Sequence, residues 1–167
     1  MANLTISQAL RQIKKLKGQL SDNLARASSS VSYVVDNKPA FSFKATLEKS
    51  DEIRNQLIKL ESMVYITNAN TTFDFEGKTT NLAEAVRTLQ ELKGQIVWVK
   101  GLPCRAHVDT KDDSWDYNDD GKRIRTTTHY KCDLPEAERS AFVEKLQDQF
   151  DRLNNSVEKM NHITVLL

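Results

Sequence analysis

The chain predicts a mainly α protein with short β-hairpins, an α+β arrangement in which a duplicated helix-hairpin-helix unit builds an antiparallel helical core. Three observations lead there. Long segments carry apolar residues at helical spacing, β-branched and aromatic stretches interrupt them, and the run Ile6 to Leu20 returns as Leu82 to Ile96. Across that pair Ala9 matches Ala85, Arg11 matches Arg87, and Leu16-Lys17-Gly18-Gln19 matches Leu92-Lys93-Gly94-Gln95. Leu24-Ala25-Arg26-Ala27 then aligns, after a small insertion, with Leu102-Pro103-Cys104-Arg105-Ala106, which makes Arg26 and Arg105 equivalent. Ile53, Leu57, Leu60, Val64 and Asn68 share their spacing with Leu146, Phe150, Leu153, Val157 and Asn161. The expectation is one domain over 1–167 made of two repeats, about 1–72 and 73–167.

Each element has its own signal. The first helix is expected from near Ser7 to about Ala25, with Ile6, Leu10, Ile13, Leu16, Leu20 and Leu24 as its apolar stripe and Ser28-Ser29-Ser30 at its end. Val31 to Val35 and Phe41 to Ala45 flank the turn-forming Asp36-Asn37-Lys38-Pro39 and predict a short hairpin. A second helix is expected around Ser50, an acceptor for a free backbone amide, with Asp51 and Glu52 at the positive helix end; it stops before Asn68. Thr67 to Lys78 is dense in turn formers and reads as the junction of the halves.

A capping pair, Asn81 with Glu84, opens the third helix, and Gly101 and Pro103 close it. Arg105 to Asp109 and Lys122 to Lys131 predict the two strands of a longer hairpin around Asp116-Tyr117-Asn118-Asp119-Asp120-Gly121, where glycine supplies a positive φ. The fourth helix starts at Asp133-Leu134-Pro135-Glu136, with Asp as cap and Pro in the first turn. It turns Phe142, Leu146, Phe150, Leu153, Val157 and Met160 inward. Four helices with single apolar stripes cannot bury them alone, so a homo-oligomer is expected, by default a dimer.

With 39% hydrophobic and 28% charged residues, five Gly and three Pro in 167 residues, the chain has the composition of a helix-rich globular protein, not of a disordered one. A net charge of +1 supplies no global field for a polyanion, which disfavours DNA or RNA polymers. Met1-Ala2-Asn3-Leu4-Thr5 lacks a basic region leading into an apolar run, and no stretch has the roughly 18 apolar residues of a membrane span. The expected location is the cytoplasm, with no membrane partner. There Cys104 and Cys132 are expected as ordinary thiols.

Catalysis is disfavoured by the residue inventory. No nucleophile stands beside a base, and the three His and two Cys have no zinc-motif spacing, so neither catalytic residue, metal nor cofactor is expected. His107 and His129, expected on opposite strands, read as surface histidines. Asp109, Asp112, Asp113, Asp116, Asp119 and Asp120 form an acidic cluster, but Thr127 falls where a calcium loop needs glutamate. That cluster reads as a solvated hairpin tip.

Arg26 and Arg105 are the stronger lead, each placed where a helix gives way to a predicted hairpin. Arg123 and Arg125 are expected to return on the strand beside Arg105. Guanidinium grips phosphate with two parallel hydrogen bonds and stacks on flat rings. Tyr33, Phe73, Phe75, Trp115 and Tyr130 fall in or near extended segments, where aromatic rings can stack a purine. The bland reading is that these arginines pair with the abundant aspartates and that Phe73 and Phe75 pack beneath their loop.

Two resemblances extend these readings. Leu82 to Leu92, preceded by Asn70-Thr71-Thr72, and the ending Leu153 to Thr164 resemble a bacterial and phage family described as septicolysin-like, which implies a membrane-active protein. The two arginines, each following a helix in a small helical protein with short strands, are similar to the first Thoeris anti-defence family. These are phage proteins that sequester cyclic ADP-ribose isomers made by immune enzymes. That resemblance implies a non-enzymatic sponge in the host cytosol that holds the signal, a cyclic ADP-ribose isomer or also a cyclic oligonucleotide, unaltered and so inhibits antiviral signalling. It also implies a homodimer, or dimers assembled into a hexamer, with ligand enclosed between protomers. The matching positions are Arg26 and Arg105, with ring-stacking and amide contacts placed on Phe75 or Phe73 and on Asn81. The acidic stretch from Asp109 to Asp120 stands outside the resemblance. A purely structural helical oligomerisation module is the third reading.

Overall fold

A computed structural model describes residues 4–167; the opening residues Met1 to Asn3, on which the absence of a leader was partly read, lie outside it. About 60% of the chain is helical. Four helices, α1 (Ile6–Ser29), α2 (Phe43–Asn70), α3 (Leu82–Lys100) and α4 (Glu136–Ile163), are accompanied by two antiparallel hairpins. These are β1 (Thr72–Phe75) with β2 (Lys78–Asn81), and β3 (Asp109–Tyr117) with β4 (Arg123–Lys131). The chain divides into two compact units. One comprises the residues up to Val86 together with Asn155–Leu167, the other Arg87–Asn154.

The first unit is organised by α1 against α2. A capping box starts α1: the Thr5 hydroxyl accepts the Gln8 N–H at 3.3 Å while the Gln8 amide oxygen accepts that of Thr5 at 3.0 Å. The buried face of α1 is Ile6, Ala9, Ile13, Leu16, Asn23 and Ala27, which corrects the expected stripe at two points. Leu10 is 44% and Leu24 39% exposed, because the buried face runs through Ala9 and Ala27 in their place. Ile53, Leu57, Leu60 and Val64 of α2 are buried, the face that period-3.6 spacing marks out.

The expected hairpin after Arg26 is absent, so the first half of the chain is not helix-hairpin-helix. Residues 30–42 form turns and bends, and Phe43 to Lys49 belong to α2. Lys, Ala, Leu and Glu in that stretch are good helix formers, whereas an isolated five-residue hairpin is marginal in water. Ser50 is therefore no cap. It lies fully buried inside α2, and its hydroxyl donates to the Thr46 carbonyl at 2.8 Å.

α2 continues past Asn68 to Asn70, and the supposed loop after it is the β1–β2 hairpin. Phe75 pairs with Lys78, leaving Glu76 and Gly77 as a two-residue turn at φ 50° and 77°. Positive φ at both positions is the turn whose twist matches paired strands. Thr67 then ties down the end of the chain: fully buried, it accepts the Leu167 N–H at 3.0 Å. Thr5 bridges Val165 alongside, and Ile6 N–H donates to the Thr164 carbonyl at 3.0 Å.

In the second unit Leu92, Ile96, Val99, Leu146 and Leu153 are buried. Phe150 is half-buried and Phe142 is 38% exposed, so the inward stripe of α4 is narrower than expected. Pro135 precedes α4, accepting the Arg139 N–H at 2.9 Å, and is not inside its first turn. The first strand of the longer hairpin is Asp109–Tyr117, not 105–109. Aspartates are poor strand formers in general. Here partners across the ladder hold them: the Thr127 hydroxyl donates to Asp113 at 2.6 Å, and Arg125 is paired with the same carboxylate. His107 accordingly lies before the strand, while His129 faces Lys111 in register.

Candidate functional site

Arg26 occupies the last turn of α1, where a cation favourably meets the negative end of the helix. The segment before the Ser42 cap returns along it, and the Arg26 guanidinium lies over the Phe41 ring at 4.9 Å to the centroid. Among the described residues no carboxylate pairs with it.

Arg105 is held more tightly. α3 stops at Gly101, whose N–H reaches the carbonyls of Val97 and Trp98. Arg105 is then fixed through its backbone, donating its N–H to the Cys132 sulfur at 3.4 Å and accepting the Glu136 N–H at 2.9 Å. Cys132 is a free thiol that donates to the Leu134 carbonyl at 3.1 Å; Cys104 is likewise free. The Arg105 guanidinium lies 3.4 Å from the centroid of the Tyr130 ring and donates to Asp112 at 2.7 Å. The hydrogen bond to Asp112, with smaller contributions from its charge and from Tyr130, raises the Arg105 pKa still further against the opposing effect of desolvation.

Arg123 and Arg125 do not join Arg105. In the register Trp115 opposes Arg125 and Tyr117 opposes Arg123, while Thr110 opposes Tyr130 and Asp112 opposes Thr128. Side chains alternate across a strand, so Arg123 and Arg125 share one face with Trp115 and Tyr117. Tyr130 and Asp112, the partners of Arg105, point to the other face. Arg123 lies over Trp115 at 4.7 Å, and Arg125 is paired with Asp113. The Thr127 hydroxyl first, and Arg125 second, hold the Asp113 carboxyl below its ordinary range.

Phe73 and Phe75 are half-buried on one side of β1, with Asp74 between them bonded to the Thr79 hydroxyl at 2.8 Å. Asn81 caps α3, its amide oxygen accepting the Glu84 N–H at 2.8 Å. That part of its side chain is committed to the helix. The six aspartates of the second hairpin are distributed over both strand faces and the turn, and among the described residues no three metal-ligating side chains converge. No helix among them is long and apolar enough to cross a membrane.

The ring partners were only partly legible. Tyr130 stood among the extended-segment aromatics, whereas Phe41 read as a strand residue. Asn23, at a position where the apolar periodicity of α1 calls for a hydrophobic residue, was the available signal for a groove that also contains Arg26. Compared with known families, with curated proteins and with solved structures, the chain matches none.

Proposed function

We propose that the protein is a non-enzymatic sponge for a cyclic ADP-ribose-type immune signal, acting in the host cytosol to withhold that signal from antiviral defence. The observation that carries this reading is that Arg26 and Arg105, equivalent in the duplicated sequence, each lie over an aromatic ring, Phe41 and Tyr130. A guanidinium over a ring face is attracted to it without using up its N–H donors, which stay available to two oxygens of a phosphate. The proposal includes a duplicated origin of the two halves, without a hairpin in the first, a homodimer or hexamer, and ligand enclosed between protomers. The Asp112 carboxylate is the built-in competitor, and a ligand phosphate would displace it or share Arg105 with it.

The test is calorimetry with cyclic ADP-ribose isomers, followed by heat denaturation and recovery of the ligand. Intact ligand and a loss of binding of roughly tenfold or more in Arg26→Ala and in Arg105→Ala are expected, the loss of a charge-assisted hydrogen bond. Undiminished binding in both variants overturns the site. Conversion of the ligand overturns the sponge in favour of an enzyme, and leakage of liposomes on addition of protein favours a membrane-active protein.

A further inference from the structure

Between α1 and α2 lies a groove of about 390 Å³, entirely within the first compact unit. Its most informative side chain is Asn23. This residue is 8% exposed at a core position of α1, yet among the described residues its amide has no hydrogen-bond partner. The polar side-chain atoms sealed from solvent without a partner are, among the described residues, Asn68 Oδ1 and Thr110 Oγ1, so the Asn23 amide is not closed into the core but opens to the groove. The amide lines the groove, where its donor and acceptor remain available to a ligand.

The surrounding groups complement it. Arg26 and Lys49 bring two cations to the same groove, and among the described residues neither is engaged in an ion pair. Asp22 and Glu52 also line it, so the site is neutral on balance and unsuited to a polyphosphate. A ligand with one phosphate, sugar hydroxyls and a planar hydrogen-bonding ring meets all three kinds of group. Arg26 and Lys49 take the phosphate, and carboxylates accept from ribose hydroxyls. An asparagine amide pairs in bidentate fashion with the N6 and N7 edge of adenine. The volume suits one nucleotide, at the small end of ligand pockets.

We infer that the α1–α2 groove binds an adenylate group, with Asn23 reading the adenine edge and Arg26 and Lys49 holding the phosphate. The choice of a nucleotide rests on the reading above. The competing account of Asn23 is a polar residue that merely fixes helix register.

Calorimetry of the full chain with AMP, UMP and inorganic phosphate separates them. AMP should bind at least tenfold tighter than UMP. Asn23→Leu should lose that preference with unchanged or raised thermal stability, and Lys49→Ala, an exposed substitution that leaves folding intact, should weaken AMP and phosphate alike. Absence of AMP binding, equal affinity for AMP and UMP, or an unchanged AMP isotherm in Asn23→Leu and Lys49→Ala overturns the inference. Cyclic ADP-ribose isomers titrated in parallel keep the two proposals distinct. Their binding without AMP binding sinks the groove alone, and AMP binding through Asn23 without theirs sinks the sponge alone.

Discussion

Leu57 and Ile58 are neighbours in α2 with opposite environments, and truncating each tests which way the helix faces. Leu57 is 6% exposed and Ile58 57%. Leu57→Ala removes three buried carbons, about 2.4 kcal/mol at ~0.8 kcal/mol each, and the cavity left behind raises the expected cost to about 3 kcal/mol. For a chain of this size the melting temperature should fall by roughly 6–12 °C. Ile58→Ala removes a side chain already in water and gains slightly in helix propensity, so its effect at low protein concentration should stay within about 0.5 kcal/mol. Tyr65, one heptad on, is also exposed, at 72%, and the proposed oligomer supplies a reason for two large apolar residues on that outer face. If a second copy covers it, the destabilisation by Ile58→Ala grows with protein concentration, since association stabilises by mass action. Differential scanning fluorimetry over a hundredfold concentration range measures both. A concentration-independent loss from Ile58→Ala as large as that from Leu57→Ala, or a loss from Leu57→Ala below about 2 °C, refutes the assigned faces.

The second hairpin should be acid-sensitive through Asp113: its folded pKa is lowered, so its contribution is complete above the ordinary aspartate value of about 3.9 and is lost as pH falls through the lowered one. Trp115 fluorescence in a titration below pH 5 reads this, and Asp113→Asn should remove that component; an identical profile in the variant negates the assignment. The rings beneath the arginines give a second discrimination, because Tyr130→Leu removes the platform under Arg105 while Phe75→Leu leaves it untouched. Binding of a cyclic ADP-ribose isomer should drop in the first variant, by several-fold; equal losses in both would return the stacking role to Phe75.

The elements most legible in the sequence were those whose local chemistry and long-range packing agree. The Asn81 cap of α3 and its Gly101 stop, the Ile53 to Val64 stripe, and β4 with its β-branched and aromatic residues all follow from local rules that tertiary contacts reinforce. Failures came where a local signal had no partner. Val31, Val34 and Val35 have strand character, but among the described residues no strand pairs with them, and they remain 65%, 73% and 89% exposed. The converse failure is β3, whose aspartates argue against a strand until Thr127 and Arg125 stand opposite Asp113 and Trp115.

The same logic governs the candidate site. Arg26 and Arg105 are visible in the sequence because a recurring Leu-Lys-Gly-Gln run precedes each, whereas the face an arginine occupies depends on strand register, and a shift of one residue reverses it. Arg123 and Arg125 therefore read as neighbours of Arg105 and lie on the other side of the ribbon. Asn23 shows the opposite case. A polar residue in an apolar periodicity is visible without any structure, but only the α1–α2 packing decides between a satisfied seam residue and an amide open to a groove. Among the described residues the amide has no protein partner and Arg26 and Lys49 of the same groove form no ion pair, so these groups face the groove with their hydrogen-bonding capacity unused within the protein. Asn23, the residue where the hydrophobic pattern breaks, is therefore the position at which the proposed groove is most directly tested.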